Sequence, residues 1–154
     1  MHVFVTGATG FVGTSVVGHL LSAGHTVTGL ARSDASAAKL DARGATVLRG
    51  DLTETDKLAA AAAAADGVIH TGFIHDFSNF MHSVAVDKAA IEAMGGALEG
   101  SGKPLLVTSG IGLLKSGQVA TEADMPDGSS PRLSEAAAMP FADRGVKAMM
   151  IRLP

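Results

Sequence analysis

MHVFVTGATGFVGT, residues 1–14, is the stretch whose reading decides the fold. An apolar run at Val3, Phe4 and Val5 stops at Thr6, glycines follow at Gly7, Gly10 and Gly13, and an apolar-periodic segment begins near Phe11. This is strand, tight turn, helix. Gly7 lets the chain leave the strand where a Cβ would obstruct it, Gly10 lets backbone N–H groups approach a diphosphate, and Gly13 lets helix pack on strand. The free N–H groups and the positive end of the helix dipole make an anion site without any charged side chain. No Lys-Ser or Lys-Thr pair follows Gly13, so a kinase-type phosphate loop is excluded.

Outward from this unit, strand and helix signals alternate. A helix over about 11–23 carries Val12, Val16, Val17, Leu20 and Leu21 on one stripe and stops at Gly24. Strands are expected at 26–31, 46–49, 68–70, 105–108 and about 148–153. Further helices are expected to about residue 43, across the alanine run 59–65, over about 78–98, and from near Arg132. Alanine is the best helix former, and Asp66 and Gly67 end the run. The 78–98 helix has Phe80, Val84, Ile91, Met94 and Leu98 at helical spacing, which reads as core packing. A loop covers 110–130, and Pro140 ends or kinks the last helix before Phe141. Such alternation predicts an α/β fold, a doubly wound parallel sheet in three layers with right-handed crossovers and strand order 3-2-1-4-5-6. Strands one and four are then neighbours, and a crevice opens at their carboxyl ends, bordered by Gly7 and by His70, Thr71 and Gly72. No linker interrupts 1–154, which reads as one domain.

Composition narrows the function classes. Apolar residues are 47% and charged residues 18% of the 154, and a formal net charge of −3 gives no electrostatic reason to expect nucleic acid or an anionic membrane as partner. Cysteine is absent, which excludes disulfides, thiol catalysis and thiolate metal sites. His2, His19, His25 and His82 form no metal-ligand grouping, so no metal is expected. Met1 leads straight into a strand and no apolar run approaches about 18 residues, so neither a signal peptide nor a membrane span is read, and the cytoplasm is the default location.

The end of strand two distinguishes the two nicotinamide dinucleotides, because an acidic residue there bonds the ribose 2′-hydroxyl whereas an arginine accommodates a 2′-phosphate. The position carries Arg32, followed by Ser33. A planar guanidinium suits a phosphate, which favours NADP(H), with NAD(H) the second choice. The competing reading is a solvated arginine beside Asp34, which could pair with it or cap the next helix. Asp51 could bond the adenine amino group or be an ordinary turn aspartate. The expected dinucleotide contacts are Gly7, Thr9, Gly10, Phe11, Val12 and Gly13 in the turn, then Arg32, Ser33, Asp51 and Leu52 after strands two and three. His70, Thr71, Gly72 and Thr108 complete them after strands four and five.

These residues carry a resemblance. TGATGFVG at 6–13, Ala31–Arg32–Ser33, Gly50–Asp51–Leu52, His70–Thr71–Gly72 and Val107–Thr108–Ser109 resemble, in the same order, the extended or atypical branch of the short-chain dehydrogenase/reductase superfamily, which includes NAD-dependent epimerase/dehydratase-like proteins. The resemblance implies a cofactor-binding Rossmann fold and hydride transfer between a nicotinamide and a carbonyl or alcohol. It also implies pairing of the 78–98 helix and the helix before the last strand across a two-fold axis. With Pro140 interrupting the second helix, a weak homodimer is expected.

The catalytic residues depart from the family's pattern. That chemistry uses a tyrosine as proton donor or acceptor, a lysine four residues later that lowers its pKa, and a serine after strand five. This chain has no tyrosine. Setting Ser134 and Glu135 on the family's Ser-Lys pair puts Pro131 at the tyrosine position and Glu135 at the lysine position, where a carboxylate raises the pKa of a neighbouring acid. The serine position falls on Gly110, with Ser109 adjacent. Thr108, Ser109 and Ser134 offer hydroxyls, and His75 is the candidate of a type that exchanges protons near neutral pH. His75 could instead order its own turn through Asp76. Ser109 and His75 are therefore the catalytic candidates. Family members continue past Arg152, Leu153 and Pro154 into a further strand and a smaller substrate portion, so the resemblance names no substrate and leaves the last strand as an edge. Two functions remain open: an oxidoreductase, or a non-catalytic dinucleotide-binding module such as a cofactor sensor or the cofactor half of a shortened gene product.

Overall fold

A computed structural model describes residues 1–114, 117, 119–126, 128 and 131–154. Its axis is β1 (His2–Thr6), in which Val3 and Val5 point to one face of the sheet and Phe4 to the other, all three buried. Burial on both faces is what a central parallel strand requires. β1 pairs in parallel with β2 (Thr26–Ala31) on one side and with β4 (Gly67–His70) on the other. β3 (Thr46–Arg49) lies beyond β2, and β5 (Pro104–Gly110) and β6 (Lys147–Leu153) lie beyond β4. The order is β3-β2-β1-β4-β5-β6, the doubly wound order that the alternation predicts.

The helices divide between the two faces. α1 (Phe11–Ser22) and α2 (Asp34–Asp41) bring Val17 and Leu40 onto Val3, Val5 and Val27. α3 (Thr55–Ala64), α4 (Phe80–Ala97) and α5 (Ser134–Ala138) bury Leu58, Ile91, Met94 and Ala138 with Phe4, Val68 and Leu105 on the opposite face. α3 starts four residues before the alanine run, and Ala62 and Ala65 are fully buried, so small side chains bring it close to the sheet. α4 buries Val84, Ile91, Met94 and Leu98 as its spacing requires, and the same buried face also holds Ser83 and Asp87. α5 stops at Ala138, before Pro140, which falls in the first turn of a 3₁₀ segment (Met139–Arg144) where its missing N–H has no bond to break.

Several boundaries differ from the sequence reading by a few residues. β5 runs two residues further, to Gly110, because β6 pairs with it along its whole length, and a 3₁₀ turn (Ile111–Leu113) follows. The loop expected over 110–130 falls partly outside the described residues. β6 is an outer strand on which Met149 and Ile151 are each 44% exposed. No helix of the described residues is long and apolar enough to cross a membrane.

Candidate functional site

The carboxyl ends of the strands converge on a cleft of about 800 Å³, within the usual size range of ligand pockets. Its floor is the turn after β1. Gly7 has φ +63°, and an added Cβ would stand 2.6 Å from the Thr71 carbonyl carbon; a Cβ on Gly13 would stand 2.0 Å from the Gly7 oxygen. Both glycines are therefore steric requirements of the turn. Gly10 caps α1 without any side-chain hydrogen bond, and the first turn of α1 holds no acidic residue. Thr14 donates to the Gly10 carbonyl at 2.9 Å, leaving the N–H groups of Phe11, Val12 and Gly13 with no intrahelical acceptor. All three residues, with Thr9, line the cleft, and the helix end offers an anion both donors and a positive dipole.

Beyond β2 and β3 the walls are Arg32, Ser36, Asp51 and Leu52. The Arg32 guanidinium is exposed and makes no hydrogen bond or ion pair with any described residue. Asp34, its possible partner in the sequence reading, is taken by Arg49 at 2.7 Å. Ser33, expected at the cofactor, is not on the wall; its hydroxyl caps α2 by accepting from the Ser36 N–H at 3.2 Å. The Asp51 carboxylate accepts from the Thr53 N–H at 3.1 Å, so it is both a turn aspartate and a wall residue.

After β4, Thr71 and Gly72 form the wall that braces Gly7: the Thr71 hydroxyl donates to the Thr6 carbonyl at 2.8 Å, and the Gly72 N–H to the Thr6 hydroxyl at 3.3 Å. His70 corrects the sequence reading. It shares a face with Val68, two residues earlier, and so points under the sheet into the core, 1% exposed, with Nδ1 2.7 Å from the Thr6 hydroxyl and Nε2 3.0 Å from Asp87. His75 lies on the cleft wall, exposed, with its ring against Phe73 and Phe77. It does not order its turn through Asp76, whose carboxylate instead accepts from the N–H and hydroxyl of Ser78.

Beyond β5, Thr108 and Ser109 reach the cleft. Thr108 donates its hydroxyl to the His70 carbonyl at 3.1 Å, and Ser109 donates to Glu135 at 2.5 Å. Glu135 is 1% exposed and receives two 2.9 Å hydrogen bonds from Arg152. These bonds hold its carboxyl below the usual glutamate range against the opposing effect of burial, with the Ser109 hydroxyl adding to them. The carboxylate at the lysine position is thus neutralised by an arginine on β6, a pairing that spacing along the chain does not reveal. Near neutral pH it can accept a proton through Ser109 and has none to give.

Among the lining residues that the sequence reading left out are Ser36, Phe73 and Arg132. Arg132 lies 4.3 Å over the Phe73 ring and donates to the Ser134 hydroxyl at 3.0 Å and the Thr108 carbonyl at 3.4 Å. Among the described residues no group of three or more His, Asp or Glu side chains could hold a metal ion.

Residues 7–143 match a family model described as NAD(P)H-binding. Uncharacterized protein YLL056C of Saccharomyces cerevisiae is 46% identical over 159 residues, taking in 100% of this chain and 53% of that protein. Dihydroflavonol 4-reductase of Hordeum vulgare is 36% identical over 100 residues, 60% of this chain and 28% of that protein. A solved structure of a short-chain dehydrogenase/reductase superfamily protein from Agrobacterium tumefaciens with bound NAD superposes with a TM-score of 0.75 at 21% identity, covering 99% of this chain and 48% of that one. The chain spans about half the length of the curated relatives that match it throughout. Glycine turn, sheet order and family match agree, and the chain belongs to the NAD(P)H-binding family.

Proposed function

We propose that the cleft binds NADP(H) in preference to NAD(H) and that the domain is the cofactor-binding part of an oxidoreductase acting on a carbonyl or alcohol. The observation that carries the preference is Arg32: a cation on the cleft wall after β2, without a partner among the described residues, where the carboxylate two residues on, Asp34, is engaged by Arg49. The diphosphate would lie on the first turn of α1, whose N–H groups face no capping side chain, and Ser36 would share the 2′-phosphate with Arg32. Asp51 and Leu52 would border the adenine, and Thr71, Gly72, Thr108 and Ser109 the nicotinamide.

When bound, the reduced nicotinamide supplies a hydride equivalent to a carbonyl carbon while the carbonyl oxygen takes up a proton. The chain's own residues serve the first half of that reaction better than the second. Ser109 can orient an oxygen, but its proton already lies toward Glu135, and Glu135 near neutral pH is an acceptor. This favours, as a second reading, a dinucleotide-binding module without turnover of its own. NADPH fluorescence titration with NADH as comparator tests the first proposal. Affinity at least tenfold higher for NADPH is expected, and equal affinities defeat it. NADPH oxidation over a panel of aldehydes, ketones and quinones separates the two readings: turnover above about 1 s⁻¹, within the usual enzyme range, establishes the enzyme.

A further inference from the structure

We propose that the cleft wall after β4 is an aromatic subsite and that the carbonyl compound taken up beside the cofactor carries an aromatic ring. This rests on the cofactor reading above and deepens it by naming a substrate class. Three of the six phenylalanines of the chain fall within residues 73–80. None of the three belongs to either core cluster, and Phe77 is 76% exposed. Core packing therefore does not account for them, and a contiguous exposed apolar patch marks a contact with something else.

Phe73 and His75 line the cleft, with ring centroids 5.4 Å apart and planes at 76°. Phe77 stands 6.3 Å from His75, Phe80 6.4 Å from Phe77, and Phe73 6.0 Å from Phe80, so the four rings close a cycle. Every separation lies in the range where aromatic pairs attract beyond the area they bury. Ile74, between the two lining rings, packs onto the core and anchors the segment. The wall is thus formed before a ligand arrives, which lowers the ordering cost of binding.

The place and chemistry of the wall name its occupant. Phe73 follows directly on Thr71 and Gly72, which border the nicotinamide in the cofactor reading, so a molecule presenting its carbonyl there lies against these rings. The hydroxyls at this end give their protons inward: Thr71 to the Thr6 carbonyl, Thr108 to the His70 carbonyl, and Ser109 to Glu135. The Asp76 carboxylate is held by Ser78. Those hydroxyls have no proton left for a sugar-like ligand, whereas a planar apolar ring meets the rings of Phe73 and His75.

The test uses the whole chain saturated with NADP⁺ and calorimetric titration with acetophenone and 4-phenylbutan-2-one, each against the ketone with cyclohexyl in place of phenyl. The saturated ring is larger and at least as apolar, so burial of area alone gives the aromatic ketone no advantage. At least one aromatic ketone is expected to bind about threefold or more tightly than its saturated counterpart, the scale of a single aromatic pair. Phe73→Leu should remove that preference while NADP⁺ affinity changes by less than about threefold, and Phe77→Leu, at an exposed ring, should reduce it with melting close to wild type. Equal binding within both pairs, or no binding of any ketone, overturns the substrate class, and a preference unchanged in both variants overturns the role of these rings. A loss of NADP⁺ affinity of about tenfold in Phe73→Leu makes that ring a cofactor contact and overturns the subsite. Sedimentation of wild type and Phe77→Leu decides the remaining alternative: a dimer that dissociates in the variant gives the rings to a second copy of the chain and overturns the proposal. A wild-type chain that binds no NADP⁺ overturns the cofactor reading and this proposal with it, an outcome distinct from NADP⁺ binding without ring preference.

Discussion

The two ends of the cleft are built differently. At the β2–β3 end the side-chain bonds are of shorter reach in sequence: Ser33 with Ser36, Asp51 with Thr53, Glu54 with Lys57, and Asp34 with Arg49 15 residues away. At the β5–β6 end, Ser109 meets Glu135 26 residues away and Ser134 meets Asp87 47 away. The first end stands on the surface of a finished scaffold and can change without disturbing it. The second is continuous with the core, so the same residues supply local chemistry and hold the sheet to α4 and α5.

Arg152→Ala is the strongest way to break this comparison. It leaves the Glu135 carboxylate buried without its guanidinium partner, and removing one member of a buried pair costs about 3–5 kcal/mol. Denaturant melts should show that loss, with cofactor affinity per folded molecule unchanged. The pH dependence follows the depressed pKa of Glu135: the stabilisation is present above the unfolded glutamate value of 4.5 and is lost as pH falls through the lower folded value. Acid melts of Arg152→Ala should therefore lose that part of the slope.

Gly10→Val should produce the reverse pattern at the other end. The nearest atom to an added Cβ at Gly10 is the Gly7 oxygen at 3.2 Å, against 2.0 Å for Gly13, so the fold should survive while the diphosphate path is filled. Loss of more than 100-fold in both NADPH and NADH affinity is expected, about 3 kcal/mol, with thermal melting close to wild type. Arg32→Ala is the finer cut. It should weaken NADPH by ~1.5–3 kcal/mol, the range for hydrogen bonds to charged groups, and leave NADH unchanged; equal losses would remove the 2′-phosphate assignment. His75→Ala should do least. With ring contacts and no hydrogen bond among the described residues, it should change stability by less than about 0.5 kcal/mol and NADPH affinity by less than twofold, read by the same melts and titrations.

The same division governs what the sequence discloses. The sheet order follows from alternation, and the turn after β1 from three glycines between an apolar run and an apolar-periodic segment. Arg32 is visible because the role proposed for it depends only on its place at the end of a strand. His70 and Asp87 are different. Val68 and His70 share a face by the two-residue period of a strand, and Asp87 interrupts the Val84–Ile91–Met94 stripe of α4, so each leaves a mark in the sequence. Their pairing leaves none, since it depends on how α4 crosses the sheet. Arg132 and the Glu135–Arg152 pair depend on where the segment after β5 returns to the sheet, and no local period encodes that.

The pairing of β1 with β4 also sets an order in time. Val3 pairs with Gly67, and the Gly7 turn is braced by Thr71 and Gly72, so the strand made first acquires one of its neighbours only after more than sixty further residues. At the usual pace of synthesis, 5–20 residues per second, that interval is roughly 3–13 s. A nascent chain arrested near residue 60 carries the whole glycine motif and no back wall to the cradle. Ribosome-bound chains of increasing length should therefore retain no dinucleotide until β4 and the two residues after it have emerged.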